Sequence, residues 1–114
     1  MGDAQERGKI VYMVEQEVRL LVEEQIGNNW DQSNAHGVNL QACLVTPEKR
    51  TYQQVNGQPV TLWLVLEEDP EERKGYKIVF SEEIGRFGLA TTQINGPEIF
   101  LGFYGSFLKT LEAM

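Results

Sequence analysis

The chain has 114 residues and carries ten Lys and Arg against seventeen Asp and Glu, a net charge of −7. With 41% hydrophobic and 24% charged residues it reads as one globular domain over residues 1–114, with room for a single core. The acidic balance argues against nucleic acid and against an anionic membrane, which both need clustered Lys and Arg, and leaves room for a basic protein partner.

Cys43 is the only cysteine, so no internal disulfide can form, which fits a reducing compartment. The opening MGDAQERGK is charged and has no apolar run, so no secretory leader is expected. No stretch reaches the ~20 apolar residues of a membrane span. A cytoplasmic location is the expectation.

In chain order, residues 4–26 predict a helix. Asp3 and Glu6 have capping-box spacing, and Gly27-Asn28 supplies the stop. Ile10, Val11, Val14, Val18, Leu21 and Val22 share one face, with Met13 and Leu20 to one side, an arc wider than a helix covered on one side needs. Met13 and Leu20 are therefore expected to meet the C-terminal helix or to form the seam of a weak homodimer. Residues 27–37 read as a polar loop. VNLQACLVT, 38–46, alternates like a half-buried strand, ended by Pro47.

Two strand-like runs then flank Asn56-Gly57, a strong hairpin signal because both turn positions favour positive φ. LWLVL, 62–66, is apolar on both faces and predicts a central strand. EEDPEERKG, 67–75, reads as a charged, solvated turn, and YKIVF, 76–80, as another strand. The aromatic ending FLGFYGSFLKTLEAM can be one helix, at a cost of about 1 kcal/mol for each of Gly102 and Gly105. It can also be a hairpin around Asn95-Gly96 followed by a short helix, 107–113, capped by Ser106. The hairpin is preferred. It sets Ala90, Leu89 and Gly88 opposite Leu101, Gly102 and Phe103, small against large.

The elements sum to an α+β fold: an N-terminal helix, an antiparallel meander of about five or six strands, and a short C-terminal helix. This order is common among small bacterial domains, and no residue pattern names a family.

Chemistry-bearing patterns are thin. His36 and Cys43 are each alone of their type, and seven residues of separation do not make a nucleophile and base. One His and one Cys cannot fill a zinc site. The acidic run at 67–72 lacks an EF-hand's alternating ligands and central Gly. Adjacent pairs such as Glu82-Glu83 point apart and are not an acid/base pair. Gly85-Arg86-Phe87-Gly88 has the GXXG form, but strands flank it where a KH domain has helices. P-loop and Rossmann fingerprints are absent. No catalytic residue, metal or cofactor is assigned.

One constellation remains. A two-residue Asn56-Gly57 turn sets Arg50 opposite Trp63 and Tyr52 opposite Thr61, all on one face beside a polar edge strand. Arg, Tyr and Trp are enriched at binding hot spots. Trp30, in the polar loop, and His36 border this face. The competing expectation puts Trp63 under a helix and Trp30 beneath the sheet, as large aromatics are mostly core. The candidate binding residues are thus Arg50, Tyr52, Trp63, Trp30 and His36. The expected function is a non-enzymatic acidic module that contacts a protein partner, such as a basic toxin or nuclease that it masks. The alternative is a small-molecule binder or enzyme with a pocket between the N-terminal helix and the sheet.

Overall fold

The computed structural model describes residues 12–93 and 96–114. Helix α1 spans Glu15–Ile26, and Val18, Val22 and Ile26, four residues apart on one face, are its fully buried positions. Gly27 closes it, its N–H donating to the Glu23 carbonyl over 2.9 Å. The helix does not run unbroken from residue 4 to 26: residues 12–14 are non-helical, and Val14 is an extended N-cap. Glu17 reaches back to accept the Val14 N–H at 2.9 Å. The wide apolar arc was therefore two segments. Met13 lies before the helix and packs on the core, while Leu20 is left exposed on it. The Asp3–Glu6 cap and Ile10 and Val11 fall outside the described residues.

Of the strand expected at 38–46 only 44–46 are strand; before them stands a single turn of helix, α2, at Leu40–Cys43, with the Asn39 side chain accepting from the Ala42 N–H at 3.0 Å. Leu40 and Cys43, three apart, are buried together, which a helical turn allows and alternation does not. Strand β1, Leu44–Gln53, then runs on through Pro47. Its register shifts between Leu44 and Glu48, so the proline falls where no ladder N–H is needed. Two expected strands are thus one, and the sheet has five.

Strands β2 (Pro59–Asp69), β3 (Lys74–Ser81), β4 (Arg86–Thr92) and β5 (Glu98–Gly105) complete an antiparallel meander, followed by helix α3, Phe107–Ala113. The second hairpin is present. Leu89 pairs with Gly102 and Gly88 with Phe103 as expected, but Ala90 pairs with Phe100, because register shifts leave Leu101 and Tyr104 as extra residues on β5. Both are exposed, whereas Phe100 and Phe103 turn to the same side with ring centroids 4.8 Å apart. The bulges reset the alternation expected over 99–104. Asn95, in the turn, lies outside the described residues. Ser106 caps α3 by accepting the Lys109 N–H, and Gln25 of α1 accepts the Phe107 N–H at 2.8 Å.

The sheet closes on itself, with Gln53 pairing Ile99 in parallel. In a meander of five strands the first and last run the same way, so closure has to be parallel. The barrel gives two apolar layers. Inside lie Tyr52, Leu62, Leu64, Val79, Ala90 and Phe100. Outside, α1, α2 and α3 cover Trp63, Val65, Phe80, Phe87 and Leu89. Phe87 sits between Phe80 (4.7 Å) and Phe107 (5.7 Å, edge-on). The aromatic ending therefore serves both layers, with Phe100 inside and Phe107 and Leu111 outside. No helix among the described residues is long and apolar enough to cross a membrane.

Candidate functional site

The first hairpin decides which side chains meet. Gly57 does adopt positive φ, +87°, but Gln53 pairs with Pro59, so residues 54–58 form the loop in place of a two-residue turn. The Gln54 N–H donates to the Gln58 carbonyl at 2.9 Å and the Gly57 N–H to the Gln54 carbonyl at 2.8 Å. The pairing slips by one residue. Lys49 stands opposite Trp63, Arg50 opposite Leu62, and Tyr52 opposite Val60. A slip of one moves every side chain to the other face. Arg50, Tyr52 and Trp63 therefore do not share a surface.

Trp63 lies on the outer face, 7% exposed, where its indole Nε1 donates to Glu82 Oε1 at 2.9 Å. The same oxygen accepts the Met13 N–H at 2.9 Å, and Glu82 Oε2 takes the Lys49 ammonium at 3.0 Å. That ammonium also sits 5.4 Å from the Trp63 ring and 5.2 Å from the Tyr12 ring, both cation–π distances. Together these groups line a pocket of about 200 Å³. Burial alone would raise the Glu82 pKa, but the hydrogen bonds from Trp63, Met13 and Lys49 outweigh it and hold the carboxyl below the ordinary glutamate value. Glu82 is half-buried in this pocket, and Glu83 lines it too but lies exposed. Beyond Thr61 and Ser81 a second cleft, of about 530 Å³, opens at one mouth of the barrel, lined by Val60, Glu83, Ile84, Phe100 and Phe103.

At the other end the barrel interior is charged. Glu67 and Lys77 are fully buried, and Lys77 Nζ lies 3.5 Å from Glu67 Oε2 and 3.5 Å from Glu98 Oε2, with Thr92 Oγ1 at 2.7 Å. Arg73 Nε comes within 2.7 Å of Glu67 Oε1, and its guanidinium also pairs with Glu48. Arg50 joins through Glu98 at 3.1 Å. Glu67 meets its cations without a well-aligned hydrogen bond, and the Tyr52 hydroxyl has no partner among the described residues. Burial first, and the Glu98 charge second, push the Tyr52 phenol well above its ordinary pKa. The acidic run at 67–72 is thus only partly a solvated turn. Strand β2 extends to Asp69 and carries Glu67 inside, leaving Glu71 and Glu72 exposed.

The remaining candidates lie elsewhere. Trp30 is half-buried and packs on the outer core. His36 is exposed, with Nδ1 3.0 Å from Glu68 Oε2 and its ring 5.7 Å from Tyr76. The Cys43 thiol contacts the Glu68 carbonyl at 3.7 Å, and no hydrogen bond joins it to His36. The five proposed residues thus fall in four separate surroundings. Lys49, Glu82 and Tyr12 were missed. Lys49 was within reach of a hairpin argument with a longer loop, whereas nothing local ties Glu82 to Trp63. Between α1 and the sheet, Val18, Val22 and Ile26 fill the layer, and a groove of about 360 Å³ stays open along β1, lined by Glu15, Arg19, Leu44 and Pro47. No protein-family model, curated protein or solved structure matches the chain.

Proposed function

We propose that this chain is a non-enzymatic protein-interaction module that engages a basic protein partner at the Trp63 pocket and the barrel mouth beside it. The observation that carries this reading is the Lys49 ammonium held among Trp63, Tyr12 and Glu82. A surface that holds one cation by two aromatic faces and a carboxylate has the chemistry to hold another. The charge of −7 supports the same partner class, since it accelerates encounter with a basic surface in a salt-dependent way. Of the residues first assigned to the interface, Trp63 stays in this reading. Arg50 and Tyr52 serve the barrel interior.

The test uses Glu83, which lines both the Trp63 pocket and the barrel-mouth cleft and is exposed, so that reversing its charge spares the core. Affinity capture from the native cell is run in parallel with wild type and Glu83→Lys. A stoichiometric basic protein held by wild type, and held at least about tenfold more weakly by the variant, is the expected result, a difference of about 1.4 kcal/mol. A partner bound equally by both proteins, or no basic partner, would refute the reading.

A further inference from the structure

The Trp63 pocket and the barrel-mouth cleft are both lined by Thr61, Ser81 and Glu83, so they adjoin there and present a composite groove. The ends differ in chemistry. One end surrounds an ammonium with the rings of Trp63 and Tyr12 and the Glu82 carboxylate. The other offers Phe100, Phe103, Val60 and Ile84, with Ile84 56% exposed. Glu83 stands where the two meet.

We propose that this groove takes an extended segment of the protein partner bearing a lysine and, two residues away, an apolar side chain. The lysine ammonium replaces that of Lys49 between Trp63, Tyr12 and Glu82, and the apolar side chain rests on Phe100 and Phe103. The proposal rests on the reading of the chain as a module for a basic protein. The occupant is argued from charge and from the shape of the exchange. The Glu82 side chain is 10% exposed and keeps the Trp63 and Met13 N–H donors throughout, whereas Lys49 is 39% exposed and can swing into water as another ammonium arrives. No buried charge is stranded in the exchange. In an extended segment every second side chain lies on the same side, about 6.5–7 Å apart, which suits two adjoining subsites of opposite character. Lys49 then acts as an internal competitor that lowers the apparent affinity by the fraction of time it fills the slot.

The probe is a seven-residue peptide with the core Lys-Ala-Leu between Gly and Ser flanks, titrated into ¹⁵N-labelled protein. The Trp63 indole N–H resonance is followed, assigned with Trp30→Phe. A saturable shift is expected, with peptides carrying norleucine for lysine or alanine for leucine at least tenfold weaker. Lys49→Met keeps the apolar stem but removes the competing ammonium, and should bind the probe several-fold more tightly. Equal binding of the norleucine peptide, an unmoved Trp63 resonance, or weaker binding by Lys49→Met would overturn the proposal. A basic protein partner that is lost on Glu83→Lys while the peptide fails to bind would sink this assignment and leave the module reading standing. Absence of any basic partner would remove the reading itself.

Discussion

Trp63 fills the outer core with its ring and holds Glu82 with its Nε1, and the two roles separate under substitution. Trp63→Ala should cost about 3–5 kcal/mol of stability by removing a large buried side chain. Trp63→Phe keeps much of the packing and should cost less, while leaving Glu82 short of one donor. Chemical denaturation of both variants measures the difference: equal losses would mean the ring packing kept by Phe contributes nothing, and no loss in Trp63→Phe would mean the indole N–H contributes nothing. Glu82 itself is open to a pH test. Its folded-state pKa is depressed, so its contribution is present above the unfolded-state value near 4.5 and is lost as pH falls through the folded-state value. Glu82→Gln should therefore flatten the acid limb of the stability curve below about pH 4.5 and leave its neutral part parallel to wild type. An unchanged acid limb would show that other carboxylates govern it. At this scale the sequence was partly legible: Trp63 stood out as a large aromatic beside a polar strand. Its true neighbours did not, because Glu82 reaches it through the fold and no spacing rule links the two.

The elements were more legible, and the misreadings have physical causes. Strands β2 to β5 and helix α3 follow alternation, turn residues and the Ser106 cap, all local signals. Helix α2 escaped because four residues are too few to display a period, and Leu40 and Ala42 also fit alternation. The first hairpin was found but its register was not, since Asn-Gly supports a loop of 54–58 as well as a two-residue turn. That single residue exchanged Lys49 for Arg50 opposite Trp63. Gly88 shows how closely β4 and β5 approach. A Cβ there would lie 2.3 Å from the Gly102 carbonyl oxygen and 2.8 Å from the Phe100 ring. Gly88→Ala should thus cost about 3 kcal/mol by forcing backbone apart, the upper range for overpacking. Thermal melting checks it. A loss below about 1 kcal/mol would mean that β5 yields easily.

For the whole molecule, the barrel and its charged interior were not legible. Closure depends on the sum of twists and bulges, and Glu67 looked like part of a solvated turn, so nothing tied it to Lys77 in the next strand. The buried pair also sets a stability test. Lys77→Met alone leaves Glu67 and Glu98 without their shared cation and should cost about 3–5 kcal/mol. Adding Glu67→Leu should recover much of this. Arg73 then still pairs with Glu48 and Arg50 with Glu98, so neither of those charges is stranded. Denaturation midpoints for the single and double variants decide the matter. Strictly additive losses would mean the two side chains do not act as a pair.

The parallel contact between Gln53 and Ile99 also bears on how the chain reaches this state. Each hairpin of the meander joins neighbours in sequence and can form with little loop-closure entropy, but the seam joins the first strand to the last. The order that follows is a sheet zipped hairpin by hairpin, with the ring shut last. It is also the first joint to open again. Native-state hydrogen exchange should find the seam amides released in a partial opening, at a lower free energy than those between β2 and β3. Seam amides that exchange only with global unfolding would place closure at the start of folding instead.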